Sequence, residues 1–417
     1  MSDTHPTDPA GTDLLVGRNA RLPEIVDVLR AQQEVKLDVV APARDLRAFG
    51  GDLLLAGGDH SLSLDGVTRR DATLTPTSAA DGDLAAKLGI PLAYLRRLRH
   101  TKPDLYDANV NAWLADQPDR RFLIRALHDT GAGRPGVLRA VLSDSYRIVD
   151  NLDVLMTALA GIRAAGAAVD ITSADLTETH MYLKVRSTEI AEHAPALLEN
   201  YRSPFTGARG SDNPLVWAGF VLSNSETGAG SFKIAPQITV QICNNGMTLT
   251  RHVLKEVHLG GKLPAGQIRW AADTQRAALE VVTKRARDAV ATFLDRDFVR
   301  AQIAEITADA GVEIRKPAET IEHVARTLHF TTEQQDLILN HFIAGGDPTS
   351  GGVLHAVTSA AQLTPDADTA HEMERQGLRA MTLAAAHATR AHRPGTGAGS
   401  RGAAGPGVGP GRCWPGG

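Results

Sequence analysis

Apolar and polar positions follow strand-like patterns through the first two-thirds of the chain and a helical period through the last third. Short apolar or alternating runs bounded by Gly-Gly and Asp-Gly predict strands over Lys36 to Val40, Asp52 to Leu55 and Ser61 to Leu64. Residues 77–115 predict short helices. Two further strands are expected over Arg121 to Leu127 and Val137 to Leu142, then a helix with Asp150 as its N-cap, running to Arg163. Strands resume over Ala167 to Ile171, Met181 to Val185, Val216 to Leu222, Ser231 to Ile242 and Met247 to Arg251. From Trp270 the pattern is helical: one long segment to Ala308, then Ala318 to Leu328, Thr332 to Ile343 and Asp366 to His387. Strands followed by helices predict an α+β fold. Residues 21–269 form an antiparallel-rich sheet domain with packed helices, and residues 270–390 form a helical C-terminal region that completes the same domain. The ends, 1–20 and 391–417, are expected to be disordered, because polar or Gly/Pro-rich sequence cannot offset its ordering entropy.

Composition narrows the class. With 417 residues, 43% hydrophobic and 22% charged, the chain can bury a sizeable core. No run approaches the roughly 18 apolar residues of a membrane helix, and no basic start leads into an apolar stretch, so neither a membrane partner nor a secretory signal is expected. Two cysteines, Cys243 and Cys413, with no CxxC, fit a reducing cytoplasm. Lys and Arg number 44 against 48 Asp and Glu, a net charge of -4, so no global field attracts nucleic acid. Locally the balance reverses: residues 94–147 hold ten basic and six acidic residues, and residues 247–300 repeat that excess. Two basic stretches in an acidic protein are either solvated helix faces or a phosphate-facing surface.

Several motifs resolve into structure rather than chemistry. Gly131-Ala-Gly133-Arg-Pro-Gly136 matches GxGxxG, but a strand follows it where a dinucleotide fingerprint needs a helix, so it reads as a hairpin loop. No P-loop, HExxH or GxSxG occurs. In Arg276 to Asp288, charges four residues apart lace an exposed helix face without needing a ligand. Leu84 to Leu98 has the form of a helix-turn-helix: Gly89 makes the turn, Ile90 and Leu95 join the helices, and the second helix carries Arg96, Arg97 and Arg99. It serves either as a structural αα-hairpin or as a phosphate contact.

Two stretches carry the candidate site. In Arg139 to Asn151 a strand runs into a polar turn and a capped helix. Gly219 to Gly230 ends on Asn224-Ser-Glu226 and is followed after a strand by Cys243-Asn-Asn245-Gly-Met247. Turn chemistry explains most of this. Asp144, Asp150 and Glu226 could instead converge as a carboxylate cluster holding Mg2+ or Mn2+, the centre of a nuclease or phosphotransferase.

Taken in order, Leu88-Gly-Ile-Pro-Leu-Ala-Tyr94-Leu, Asn109-Val-Asn-Ala-Trp113-Leu, Phe122-Leu-Ile-Arg125, Arg139 to Asn151, Asn224-Ser-Glu226, Cys243 to Met247 and Gly352 to Thr358 resemble the phage/plasmid-like protein family catalogued as domain of unknown function 932. The resemblance spans residues 40–385. One departure is Ser145, where the family pattern has an arginine between aspartate and tyrosine. What the resemblance implies is a cytoplasmic mobile-element protein that binds or anneals single-stranded DNA, without a catalytic centre, metal or other cofactor, and forms a homo-oligomer. Arg139, Arg147, Lys233 and Arg251 would then contact phosphate, Tyr146 would stack on a base, and Asn224 and Asn245 would shape turns or bind the sugar-phosphate. An aromatic content of 4% counts against base stacking. A protein-interaction or regulatory role without nucleic acid is the remaining reading.

Overall fold

A computed structural model describes residues 17–63, 66–128, 134–146, 148–244, 246–249, 254–255 and 272–391. The fold is α+β, as expected, with two sheets and a helical C-terminal region.

The chain enters through β1 (Gly17–Ala20) and α1 (Leu22–Glu34) and then builds the first sheet from β2 (Lys36–Pro42), β3 (Leu46–Phe49), β4 (Asp52–Ser63) and β5 (Gly66–Pro76). Three helices follow, α2 (Ser78–Leu88), α3 (Leu92–Thr101) and α4 (Pro103–Asp116), before β6 (Arg121–Leu127) and β7 (Gly136–Ser143) complete the sheet in the order β2-β6-β7-β5-β4-β3. Every pairing is antiparallel except β5 with β7. The two short strands expected over 52–64 are one strand: a register shift between Leu55 and Asp59 absorbs Gly57 and Gly58 as a bulge. Gly57 has φ 61°, and a Cβ at Gly58 would stand 2.8 Å from the Leu55 side chain, so glycine is required there. Helices α2–α4 cover one face of the sheet, burying Leu53, Leu74, Ile124 and Leu138 against Leu84, Leu95, Tyr106 and Val110.

The second sheet is antiparallel throughout. After α5 (Asn151–Ala164) come β8 (Val169–Leu176) and β9 (Met181–His193), the short α6 (Pro195–Leu198), β10 (Leu215–Asn224), β11 (Lys233–Val240), β12 (Gly246–Thr248) and β13 (Leu254–Lys255). The order is β1-β8-β9-β10-β11-β12, with β13 also on β11. Residues 17–20, expected to be disordered, are therefore an edge strand, paired with Ala174 and Leu176. Alternation sorts the sheet's side chains: Ala174, Leu176, Leu183, Val185, Phe220 and Leu222 face α1, α5 and α7 (Ala272–Phe293).

The expected long helix over 270–308 is two helices, α7 and α8 (Arg296–Ala310), because the Asp295 side chain caps α8 by accepting from the Phe298 amide at 2.9 Å. Beyond them α9 (Pro317–Leu328), α10 (Thr332–Gly345), α11 (Ser350–Leu363) and α12 (Ala367–Ala391) pack as a bundle. Periodicity misses α11 altogether. It is buried on all sides from Ser350 to Ala361, so it has no polar stripe to betray a helical period.

Candidate functional site

Between the sheets, residues 143–146 and 148–150 of the strand-to-helix connection and the loop 224–231 meet the uncovered face of β6 and β7. Here Leu123, Ala140 and Leu142 pack with Tyr146 and Ile148. Arg125 lies on this face in the middle of an apolar strand and is 1% exposed. Its guanidinium is nearly saturated: Nε and one terminal nitrogen grip Asp38 at 2.8 and 3.0 Å, that nitrogen also reaches Asp150 at 2.7 Å, and the other donates to the Glu226 carbonyl at 2.8 Å. Lys36 binds the second Asp150 oxygen at 2.5 Å. Arg139 binds Glu226 at 2.7 Å. Three cations thus face three carboxylates in an internally neutral cluster.

Charge and burial explain the titration of these groups. Burial works against the charge on Arg125, but Asp38, Glu226 and Asp150 hold its pKa above the ordinary arginine value. Burial likewise opposes ionisation of Asp150, and Lys36 with Arg125 outweighs it, so the carboxyl titrates below the usual aspartate range. Asp150 occupies the N-cap position of α5, as the sequence predicts, but its side chain caps nothing. Glu226 replaces it from another element by accepting from the Asn151 amide, placing a carboxylate at the positive end of α5. Asn224, 2% exposed, donates to the Asn151 side-chain oxygen at 2.8 Å and fastens the same corner.

The residues singled out in the sequence separate accordingly. Arg139, Asp150, Asn224 and Glu226 come together, but inside the protein and facing one another. Asp144 is exposed on the turn after β7, while the oxygens of the other two carboxylates are engaged by cations and an amide. Among the described residues no group of three or more His, Cys, Asp or Glu is placed to hold a metal ion. Tyr146 is half-buried, and burial raises its pKa while the Gly228 backbone hydrogen-bonds to its oxygen. Lys233 is half-buried at the start of β11. Arg147, Asn245 and Arg251 lie outside the described residues.

Sequence reasoning missed Lys36, Asp38 and Arg125 as members of this cluster. A signal for Arg125 existed: a charge at the centre of Arg-Phe-Leu-Ile-Arg-Ala-Leu must find a partner once the strand is buried.

A second buried cluster ties α12 to the opposite face of the second sheet. Asp175 receives Arg18 at 2.7 Å, the Asn19 amide at 2.6 Å and His371 at 3.1 Å. Lys184 binds Glu374 at 2.6 Å, and Tyr182 stacks on the His371 ring with centroids 3.8 Å apart.

The helix-turn-helix geometry is present. Gly89 ends α2 in the left-handed region at φ 71°, and Ile90 and Leu95 are buried between the helices. Arg99 clamps Asp81 of α2 at 2.7 Å, and Arg96 donates to the Ser78 carbonyl at 2.8 Å. The outward face of α3 carries Tyr94, 47% exposed, with Arg97 and His100.

Comparison of the chain with protein-family models, curated proteins and solved structures finds no match.

Proposed function

We propose that this is a nucleic-acid-binding protein, taking single-stranded DNA, of the phage- and plasmid-borne kind that its motifs resemble, and that α3 is its contact helix. The observation that carries this reading is the exposed face of α3. Ala93, Tyr94, Arg97, His100 and Thr101 share one side of the helix, and the helix Leu-Ala-Tyr-Leu-Arg-Arg-Leu-Arg-His-Thr contains no acidic residue. Arg96 and Arg99 hold that face in place by bonding to α2, which leaves Arg97 and His100 directed to phosphate and Tyr94 to a base. The cluster around Arg125 occupies Asp150 and Glu226, two of the three carboxylates of the nuclease reading, with cations of this chain. It also moves the phosphate contacts away from Arg139 and Asn224, which are buried.

Fluorescence anisotropy of a labelled single strand against the corresponding duplex, at several salt concentrations, tests the proposal. Affinity should fall linearly on a log–log salt plot. Arg97→Glu should weaken binding about tenfold or more while the thermal melt stays unchanged. A well-folded protein that binds neither strand form at low salt overturns the reading.

A further inference from the structure

We infer that the outward face of α4 is a self-association surface whose occupant is a second copy of this chain, packed antiparallel about a two-fold axis through Asn109. The inference goes beyond the nucleic-acid reading and does not depend on it.

Helix α4 buries Tyr106, Val110 and Leu114 against the first sheet. One flank of the helix beside that buried stripe is apolar for a solvent face: Leu105 is 51% exposed and Trp113 is 48% exposed, with Ala112 exposed beside them and Asn109 half-buried between. Scattered single exposed apolar residues need no explanation, but these lie on one stripe at helical spacing. The stripe is also symmetric in sequence. Leu105 and Trp113 stand four residues either side of Asn109, and Lys102 and Asp116, both exposed, stand seven residues either side.

That symmetry is what an isologous contact needs, because a two-fold axis places residue i against residue j and j against i. Antiparallel pairing sets Leu105 of each copy against Trp113 of the other. Ala112, with no side chain beyond Cβ, allows the helices to approach and the indole to seat. At the two ends, Lys102 of one copy meets Asp116 of the other, so both ends carry opposite charges; a parallel pairing would set like against like. The Asn109 side chain donates to the Leu105 carbonyl at 2.7 Å and so lies along its own helix at the axis. The stripe runs about 21 Å at 1.5 Å per residue.

The full-length chain examined by sedimentation velocity over a hundredfold concentration range tests the inference. A reversible dimer is expected. Leu105→Lys and Trp113→Glu should each weaken it about tenfold or more, with thermal melts unchanged when taken at concentrations where the unsubstituted chain is monomeric, because both side chains are half-exposed there. Lys102→Glu and Asp116→Lys should each weaken it, and the double variant should restore it, which a merely sticky patch would not do. Asn109→Cys should cross-link to itself with a short bis-maleimide under conditions where the unsubstituted chain does not. A monomer at every concentration overturns the inference. So does a dimer indifferent to Trp113→Glu. If Trp113→Glu leaves a monomer unchanged but removes oligonucleotide binding, the stripe is a nucleic-acid contact and the dimer is wrong, while the binding reading stands.

Discussion

The two buried charge clusters solve the same problem with different groups, and the difference predicts how each part of the molecule fails. Between the sheets, Lys36, Arg125 and Arg139 face Asp38, Asp150 and Glu226, with no histidine among them. On the far side of the second sheet, His371 stands between Asp175 and Glu374, with Arg18 and Lys184 as the fixed cations. The central cation of the first cluster is sealed, with 1% of its side chain exposed, whereas Arg18 retains 22%. At the rim of the first cluster Lys36 is as open as Arg18, with 23% of its side chain exposed, so the clusters differ at the centre: a charge stranded beside Arg125 cannot reach water, and the histidine gives the second cluster a sensitivity to pH near neutrality.

The largest effect is expected from Arg125→Leu, which would leave Asp38 and Asp150 with Lys36 as the one cation still bound between them. Loss of about 3–5 kcal/mol in urea unfolding is expected, the range for breaking a buried pair by removing one partner. A loss below about 1 kcal/mol would mean that water enters the junction and that the cluster is not sealed. Asp175→Ala should cost less, about 2–3 kcal/mol, since Arg18 can turn to solvent. A smaller cost again, about 1–2 kcal/mol, is expected for Glu226→Gln, which keeps the shape and the amide acceptor but removes the charge from the α5 terminus and from Arg139.

Acid separates the clusters further. Burial lowers the pKa of His371, with Lys184 acting the same way, against the raising effect of Asp175 and Glu374. The unfolded chain therefore takes up a proton below about pH 6.5 that the folded chain resists, so stability falls as pH drops from neutrality. The junction contains no such group. Asp150 is held below its ordinary value of 3.8, so its contribution is intact above that value and is lost only as pH falls through its lower folded pKa. The gap between urea midpoints at pH 7 and pH 5 should narrow for His371→Gln and stay at full width for the unsubstituted protein and for Glu226→Gln; His341 and His355, also lowered by burial, keep the remainder. An equal slope in all three would remove His371 as the cause.

The smallest effect has the opposite sign. Burial pushes Asp83 up to about 6, against the Val141 amide that donates to it at 3.1 Å. Its folded pKa exceeds the unfolded one, so keeping it ionised above pH 6 costs stability. Asp83→Asn preserves an acceptor for Val141 and should gain about 1 kcal/mol at pH 7.5, a discounted figure because the group is half-buried. At pH 4 the gain should vanish.

Much of the architecture was readable from local pattern. The strand Arg121–Leu127 and the helices near 318–328 and 332–343 come out within two residues, because an apolar run, a cap and a period each act over one or two turns. The Gly89 turn with Ile90 and Leu95 was equally legible. Where local pattern failed, another element had taken over its role. Asp150 sits at the N-cap yet spends its carboxylate on Lys36 and Arg125, so Glu226, 75 residues from Asn151, does the capping. Helix α11 is invisible because its neighbours cover every side of it. Residues 17–20 look polar and free until β8 supplies a strand to pair with.

The candidate site shows the same division. That Asp150 and Glu226 occupy polar turns, and that Arg125 needs a partner, follows from the amino-acid sequence. It also determined, on its own, the α+β class and the α2–α3 hairpin, because those depend on interactions between residues a few positions apart. That Asp38, Asp150 and Glu226 answer Arg125, rather than converging with Asp144, was decided only by tertiary structure. The partners lie 87, 25 and 101 residues from Arg125. Which of them arrive is set by how two sheets dock, and a buried charge specifies that it must be paired without specifying by whom.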